Sequence, residues 1–110
     1  MDGGDTRLAT YGTLGPGRPN HHQLSDLPGR WLTGRVLGSL VEEGWGAELG
    51  YPALILDAGG SAIDVDVFES PELPHHWDRL DAFEGTEYRR VAVDVETAEG
   101  VIPASIYVRA

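Results

Sequence analysis

The stretch Leu73–Thr97, LPHHWDRLDAFEGTEYRRVAVDVET, changes its pattern partway along. In its first half Trp77, Leu80 and Phe83 recur at threes, with Leu73 one turn earlier, which is the spacing of one side of a helix. Ser70-Pro71-Glu72 supplies a start before it, and Gly85 a stop just past Phe83. The expected helix is Leu73–Phe83. Beyond Gly85 the run Tyr88–Thr97 reads as a strand, so a short helix feeds directly into a sheet.

Upstream of that helix, Ala62–Phe68 (AIDVDVF) alternates apolar and acidic residues, the signature of a half-exposed strand. Ala58-Gly59-Gly60-Ser61 reads as a hairpin turn back to a strand at Pro52–Asp57. Downstream, Ala98-Glu99-Gly100 reads as a second hairpin turn, leading into a strand at Val101–Val108. Trp31–Leu40 (WLTGRVLGSL) is a longer strand whose Gly34 and Gly38 point to bends or bulges. Arg7–Tyr11 is a short strand, and Asn20–Leu27 a weaker helix that Asn20 would cap and Pro28-Gly29 would end. Six strands and two short helices predict an α+β fold. A mixed, barrel-like sheet is expected, because six twisted strands would otherwise leave exposed edges.

The 110 residues fit one domain: residues 1–6 as a flexible lead-in, residues 7–110 as the domain itself. There is no cysteine, which removes disulfides, thiolate metal sites and cysteine nucleophiles together. The formal net charge of −10 repels phosphate backbones and argues against nucleic acid as a partner. No apolar run is long enough to span a bilayer, and the first residues carry no signal-peptide pattern. The expectation is a cytoplasmic protein that is a monomer or weak homodimer. An acidic ligand would need local donors, such as backbone N–H groups or an arginine.

Two constellations could carry chemistry. Tyr11-Gly12-Thr13-Leu14-Gly15-Pro16-Gly17 follows the first strand, and its glycines let backbone N–H groups approach a ligand and form an anion-binding nest. A tight turn with no ligand fits the same composition, and from spacing alone is the better reading. Neither a Walker A lysine nor a following helix is present. The second constellation is Glu84, at the expected end of the Trp77 helix. The negative end of the helix, together with the nearby Trp77, Phe83 and Tyr88, would raise its pKa toward that of a general base. Taken alone, an exposed loop glutamate is again the commoner case. Asp81 reads as a local salt-bridge residue, and Glu87 as a partner for Arg89 or Arg90. The histidines come only as adjacent pairs, His21-His22 and His75-His76, which point in different directions and argue against a metal site. No Gly-x-Ser-x-Gly is present for a serine hydrolase.

Taken together and in order, these pieces resemble the gamma-glutamylcyclotransferase-like (AIG2-like) family. The resemblance rests on Tyr11-Gly12-Thr13-Leu14-x-x-Gly17 followed by Asn20-His21-His22, and on Gly50-Tyr51-Pro52-Ala53-Leu54. It continues with Leu80-Asp81-x-x-Glu84-Gly85-x-x-Tyr88-x-Arg90 and closes on Ala104-x-x-Tyr107-Val108. The match runs from Leu8 to Val108, and the short length resembles the compact branch that includes gamma-glutamylamine cyclotransferases. The resemblance implies an enzyme that releases 5-oxoproline and a free amine from a small gamma-glutamyl amine or amide. It implies Glu84 as the catalytic acid/base and Tyr11, Gly12, Thr13, Leu14 and Gly15 as the substrate loop. Tyr88 and Tyr107 are the candidate pocket walls, with hydroxyls to donate. No cofactor and no metal is called for. Where the family usually has Gly-Glu in the fourth strand, this chain has Val65-Asp66, which bears on substrate choice. The alternative is a non-catalytic domain of the same fold that binds a small ligand.

Overall fold

Strands form where apolar residues fall on every second position, because successive side chains point to opposite faces of a sheet. The protein's structure, a computed structural model, describes residues 4–11, 21–41, 53–86 and 88–109. Among them six strands run in chain order: β1 (Arg7–Thr10), β2 (Arg30–Val41), β3 (Ala53–Leu56), β4 (Ser61–Glu69), β5 (Tyr88–Thr97) and β6 (Gly100–Arg109). All six lie within two residues of the spans expected from sequence.

The sheet order is β3-β2-β4-β1-β6-β5, and a further pairing of β2 with β5 closes it into a barrel. The pairings are antiparallel except for β1 with β6, which run parallel with Leu8 opposite Ser105 and Ala9 opposite Ile106. Closure happens at Gly34 and Arg35, which meet Thr97 and Glu96. A Cβ at Gly34 would lie 2.6 Å from Val95 Cγ1 and 2.7 Å from the Glu96 carbonyl oxygen. Only glycine lets β2 and β5 come this close.

The alternation sorts the core into two layers. Ala9, Val36, Val65, Val67, Val95, Ala104, Ile106 and Val108 fill the barrel, joined by Leu54 of β3. Residues next to them on the same strands, Leu8, Phe68 and Tyr107, face outward and pack with Leu24, Leu73, Trp77 and Leu80. Trp77 and Leu80 belong to α1 (Trp77–Glu84), which therefore lies on the outside of the barrel. Each fully buried Leu, Ile or Val in these layers contributes about 1.5–3 kcal/mol.

The structure departs from the sequence reading in three places. First, the described residues hold one α-helix and three 3-10 turns (Gly4–Thr6, His21–Gln23, Leu73–His75), where two short helices were expected. In the expected helix Leu73–Phe83, Pro74 lacks an N–H, and the first turn tightens to bonds such as His76 N–H to the Leu73 carbonyl. The α-helical ladder then starts only after His76. Second, the expected helix Asn20–Leu27 is described from His21 on, as 3-10 turns closed by Leu24 N–H to the His21 carbonyl and Leu27 N–H to the Leu24 carbonyl. Leu24 alone is fully buried there, too narrow an apolar stripe to anchor an α-helix.

Third, β3 and β4 are joined by a turn but do not form a hairpin; both pair with β2. Gly38 is the shared pivot, opposite Leu56 of β3 and Ser61 of β4. A Cβ on Gly60 would sit 2.6 Å from the Gly38 oxygen, so two glycines make this crossing possible. The β5–β6 hairpin is present, with Thr97 opposite Gly100 and Gly100 at φ 104°.

Gly4–Thr6, part of the stretch read as a lead-in, is tied to the domain. Its carbonyls accept from Ser105 Oγ, Trp77 Nε1 and Ser70 N–H at 2.9–3.0 Å. No helix among the described residues is long and apolar enough to cross a membrane.

Candidate active site

α1 is held to the barrel by Trp77 and Leu80, and this fixes where its last turn points. Gly85 stops it: its N–H bonds the Asp81 carbonyl at 3.1 Å, and its backbone sits at φ 84°. Nothing lies within 4 Å of where its Cβ would be, so this glycine serves the backbone turn rather than close packing. Tyr88 N–H then bonds the Gly85 carbonyl, and the chain enters β5. Asp81 and Glu84 are thus both on the last turn of α1, three residues apart and on neighbouring positions of the helix surface.

The two carboxylates meet opposite surroundings. Asp81 takes Arg90 Nε on one oxygen at 2.9 Å and Arg90 Nη2 on the other at 3.3 Å. The Tyr107 hydroxyl donates to Asp81 Oδ1 at 2.6 Å. Arg90 above all, and then Tyr107, hold the Asp81 carboxyl below its usual range against the opposing effect of burial. The Arg90 guanidinium lies 4.4 Å over the Trp77 ring, which locks the group to the helix. Glu84 is half-buried, and burial alone pushes its carboxyl up to about 7.

Two tyrosines close around this end of the helix. Tyr11, at the end of β1, donates its hydroxyl to the Tyr107 carbonyl at 2.8 Å and accepts from Leu54 N–H at 3.1 Å. Burial first, with lesser contributions from Tyr88 and Glu84, raises Tyr11 well above the ordinary tyrosine value, against the opposing effect of the Leu54 amide bond. Tyr107 is raised as well, by burial and then by its bond to Asp81, with a contribution from Glu84. Both phenols therefore stay neutral throughout the physiological range. Glu84 is the group here that exchanges a proton near neutral pH, as a general acid/base must.

The sequence-based candidates fall into three sets. Glu84, Tyr11 and Tyr107 are brought together. Tyr88 lies half-buried against the outer apolar cluster, in the same strand as Arg90. Gly12, Thr13, Leu14 and Gly15 lie outside the described residues, as do Asn20, Gly50, Tyr51, Pro52 and Glu87. Reading the sequence alone missed the Asp81–Tyr107 bond and the Leu54 amide on Tyr11. The i, i+3 spacing of Asp81 and Glu84 was the available signal for the first; nothing local signals the second.

Val65 is buried in the barrel interior opposite Gly34, so the volume it adds over a glycine goes into the core. A cavity of about 640 Å³ opens beside it and Tyr11, with Asp64, Asp66 and Glu96 in its wall; Glu84 is not part of that wall.

A family model described as gamma-glutamyl cyclotransferase, AIG2-like, matches residues 8–110. Among solved structures, YkqA from Bacillus subtilis is 31% identical with a TM-score of 0.73, over 94% of this chain and 35% of YkqA. The chain thus spans about a third of that protein. An AIG2-like protein from Mus musculus is 25% identical with a TM-score of 0.74, over 96% of this chain and 77% of its own. PH0828 from Pyrococcus horikoshii is 26% identical with a TM-score of 0.65, over 94% and 77%. No curated protein matches.

Proposed function

The chain belongs to the gamma-glutamyl cyclotransferase, AIG2-like family, and on that premise we propose that it releases 5-oxoproline and a free amine from a small gamma-glutamyl amine or amide, with Glu84 as the acid/base. The observation that carries this reading is the carboxyl of Glu84, pushed by burial to about 7 beside two neutral tyrosines.

A gamma-glutamyl compound brings its own nucleophile, since its α-amine is one five-membered ring closure from the γ-carbonyl. The chain lacks cysteine, and this chemistry needs no side-chain nucleophile. Ionised Glu84 takes a proton from the α-ammonium and frees its lone pair. The nitrogen attacks the γ-carbonyl carbon, a C–N bond forms, and the bond to the leaving amine breaks. Glu84 returns its proton to the departing nitrogen, and the second proton, which the ring nitrogen sheds as it becomes the lactam N–H, leaves with the amine as its ammonium or passes to water. Holding the substrate folded for this attack contributes on the order of 7–11 kcal/mol to the rate. In this reading backbone N–H groups of Gly12–Gly15 hold the α-carboxylate, and Tyr11, Tyr88 and Tyr107 wall the pocket.

The test is a chromatographic assay for 5-oxoproline over a panel of gamma-glutamyl amines and amides, with Glu84→Gln as the control. Glutamine keeps the shape and removes the base. Loss of 5-oxoproline release with a folded protein is the expected result. Turnover that survives the substitution unchanged would refute the mechanism.

A further inference from the structure

Glu84 does not stand alone at the end of α1. Among the described residues, β1 brings Tyr11 to this place, β6 brings Tyr107, and β5 brings Tyr88 and Arg90 on one face, with Arg89 between them on the other. Arg89 is exposed. α1 itself adds Asp81, one helical turn before Glu84. Arg90 is the cation on the helix-facing side of β5, where it stacks on Trp77 of α1. An arginine paired with a working carboxylate would hold that carboxylate ionised and so make it a poorer base.

Asp81 meets this arginine with both oxygens, at 2.9 and 3.3 Å, and takes the Tyr107 hydroxyl at 2.6 Å. Tyr107 is close enough to Glu84 to feel its charge, as is Tyr11. The Tyr11 hydroxyl already donates to the Tyr107 carbonyl. Both hydroxyls therefore direct their protons away from Glu84, and the arginine is matched charge for charge.

Resting on the reading of Glu84 as the acid/base, we propose that Asp81 is a positioning residue: by forming a neutral pair with Arg90 and engaging the Tyr107 hydroxyl, it withholds both donors from Glu84 and sets the pH range in which Glu84 works. The pair is neutral, so it leaves little net field at Glu84. Removing either member unbalances it, and the two removals act in opposite directions. Asp81→Asn leaves an uncompensated cation and favours ionised Glu84. Arg90→Gln leaves an uncompensated anion one turn away and favours protonated Glu84.

The experiment is a carboxyl-carbon NMR titration of Glu84 in the full chain, in the wild type, Asp81→Asn and Arg90→Gln, followed by the pH profile of 5-oxoproline release. The titration needs no turnover, so it separates failure of this proposal from failure of the catalytic reading. The midpoint is expected to fall by about 0.5–1 pH unit in Asp81→Asn and to rise by a similar amount in Arg90→Gln. The acid limb of the activity profile should follow. A purely structural ion pair is broken by both substitutions alike, so shifts in the same direction, or no shift in either, overturn the proposal. If Asp81→Asn does not fold, Arg90→Gln decides alone: an upward midpoint supports the proposal and an unmoved or lowered one refutes it.

Discussion

Glu69 ends β4 and Glu84 ends α1, fifteen positions later (84 − 69), yet their surroundings drive them to opposite chemistry. Arg7 Nε lies 2.7 Å from one oxygen of Glu69, and Arg30 Nε 2.9 Å from the other. Arg7 first, and then Arg30, pulls the Glu69 carboxyl below its ordinary value. Strand register supplies both partners, because Glu69 sits directly across from Arg7 on β1 and from Arg30 on β2. Glu84 belongs to no ladder. Arg90, on the strand that follows α1, is taken by Asp81, and burial moves the Glu84 carboxyl the other way. A carboxylate in a sheet inherits its neighbours from the register, whereas one at a helix end is left to whatever packs over it. That freedom is what a general base near neutral pH requires.

The largest expected separation is in turnover. Glu84→Gln should lower the rate of 5-oxoproline release by on the order of 10²–10⁴-fold, whereas Glu69→Gln should leave it within about twofold. Equal losses in the two variants would erase the distinction.

The two glutamates should also move stability against pH in opposite directions. Glu84 titrates at about 7 in the folded chain against its ordinary 4.5, so the native state holds that proton more tightly than the unfolded chain does. Its contribution is best below about 4.5 and declines as pH rises through 7. Glu84→Gln removes the decline. Urea denaturation should show the variant more stable than wild type at pH 8, by about 1–3 kcal/mol, with the gap closing at pH 4. A gap that persists at pH 4 would point to a cause other than titration.

Glu69 has a lowered pKa, so its contribution is present above its ordinary 4.5 and is lost as pH falls below that value. Glu69→Gln should destabilise by about 1 kcal/mol or less at pH 7, because both ion pairs are partly exposed and screened. The variant and wild type should converge in acid. The smallest effect is expected of Arg30→Ala. Its side chain is 54% exposed, and Glu69 keeps Arg7 when it goes. A denaturation midpoint that moves as far as that of Glu69→Gln would make Arg30, not Arg7, the dominant partner.

The strands were legible because residues such as Ile63, Val65 and Val67 alternate with Asp64 and Asp66, and a half-buried strand needs that period. Gly85 was legible as a stop for the same local reason. The start of α1 was not, because Pro74 is tolerated in the first turn of a helix and only the bonding shows that the turn tightened. Gly59-Gly60 announced a turn but not the pairing, which Gly38 decides from more than twenty residues away (60 − 38). Glu84 could be singled out from its place at a helix end and from the family resemblance. The direction of its pKa shift was legible too, since desolvation was expected; that Tyr11 and Tyr107 come within electrostatic reach of it was not, because local patterns carry no such proximity. The arginine that Asp81 would choose was likewise open until β5 was laid beside α1.

The parallel pairing of β1 with β6 has a consequence for how the molecule is made. A ribosome delivers β1 first among the strands and β6 last, so one side of β1 waits with open backbone groups through nearly all of synthesis. Ring closure by so distant a pair is slow. The nascent chain should therefore acquire its barrel only after β6 has left the exit tunnel. Until then β1 keeps one unpaired strand edge, the kind of edge that folded proteins cover or close.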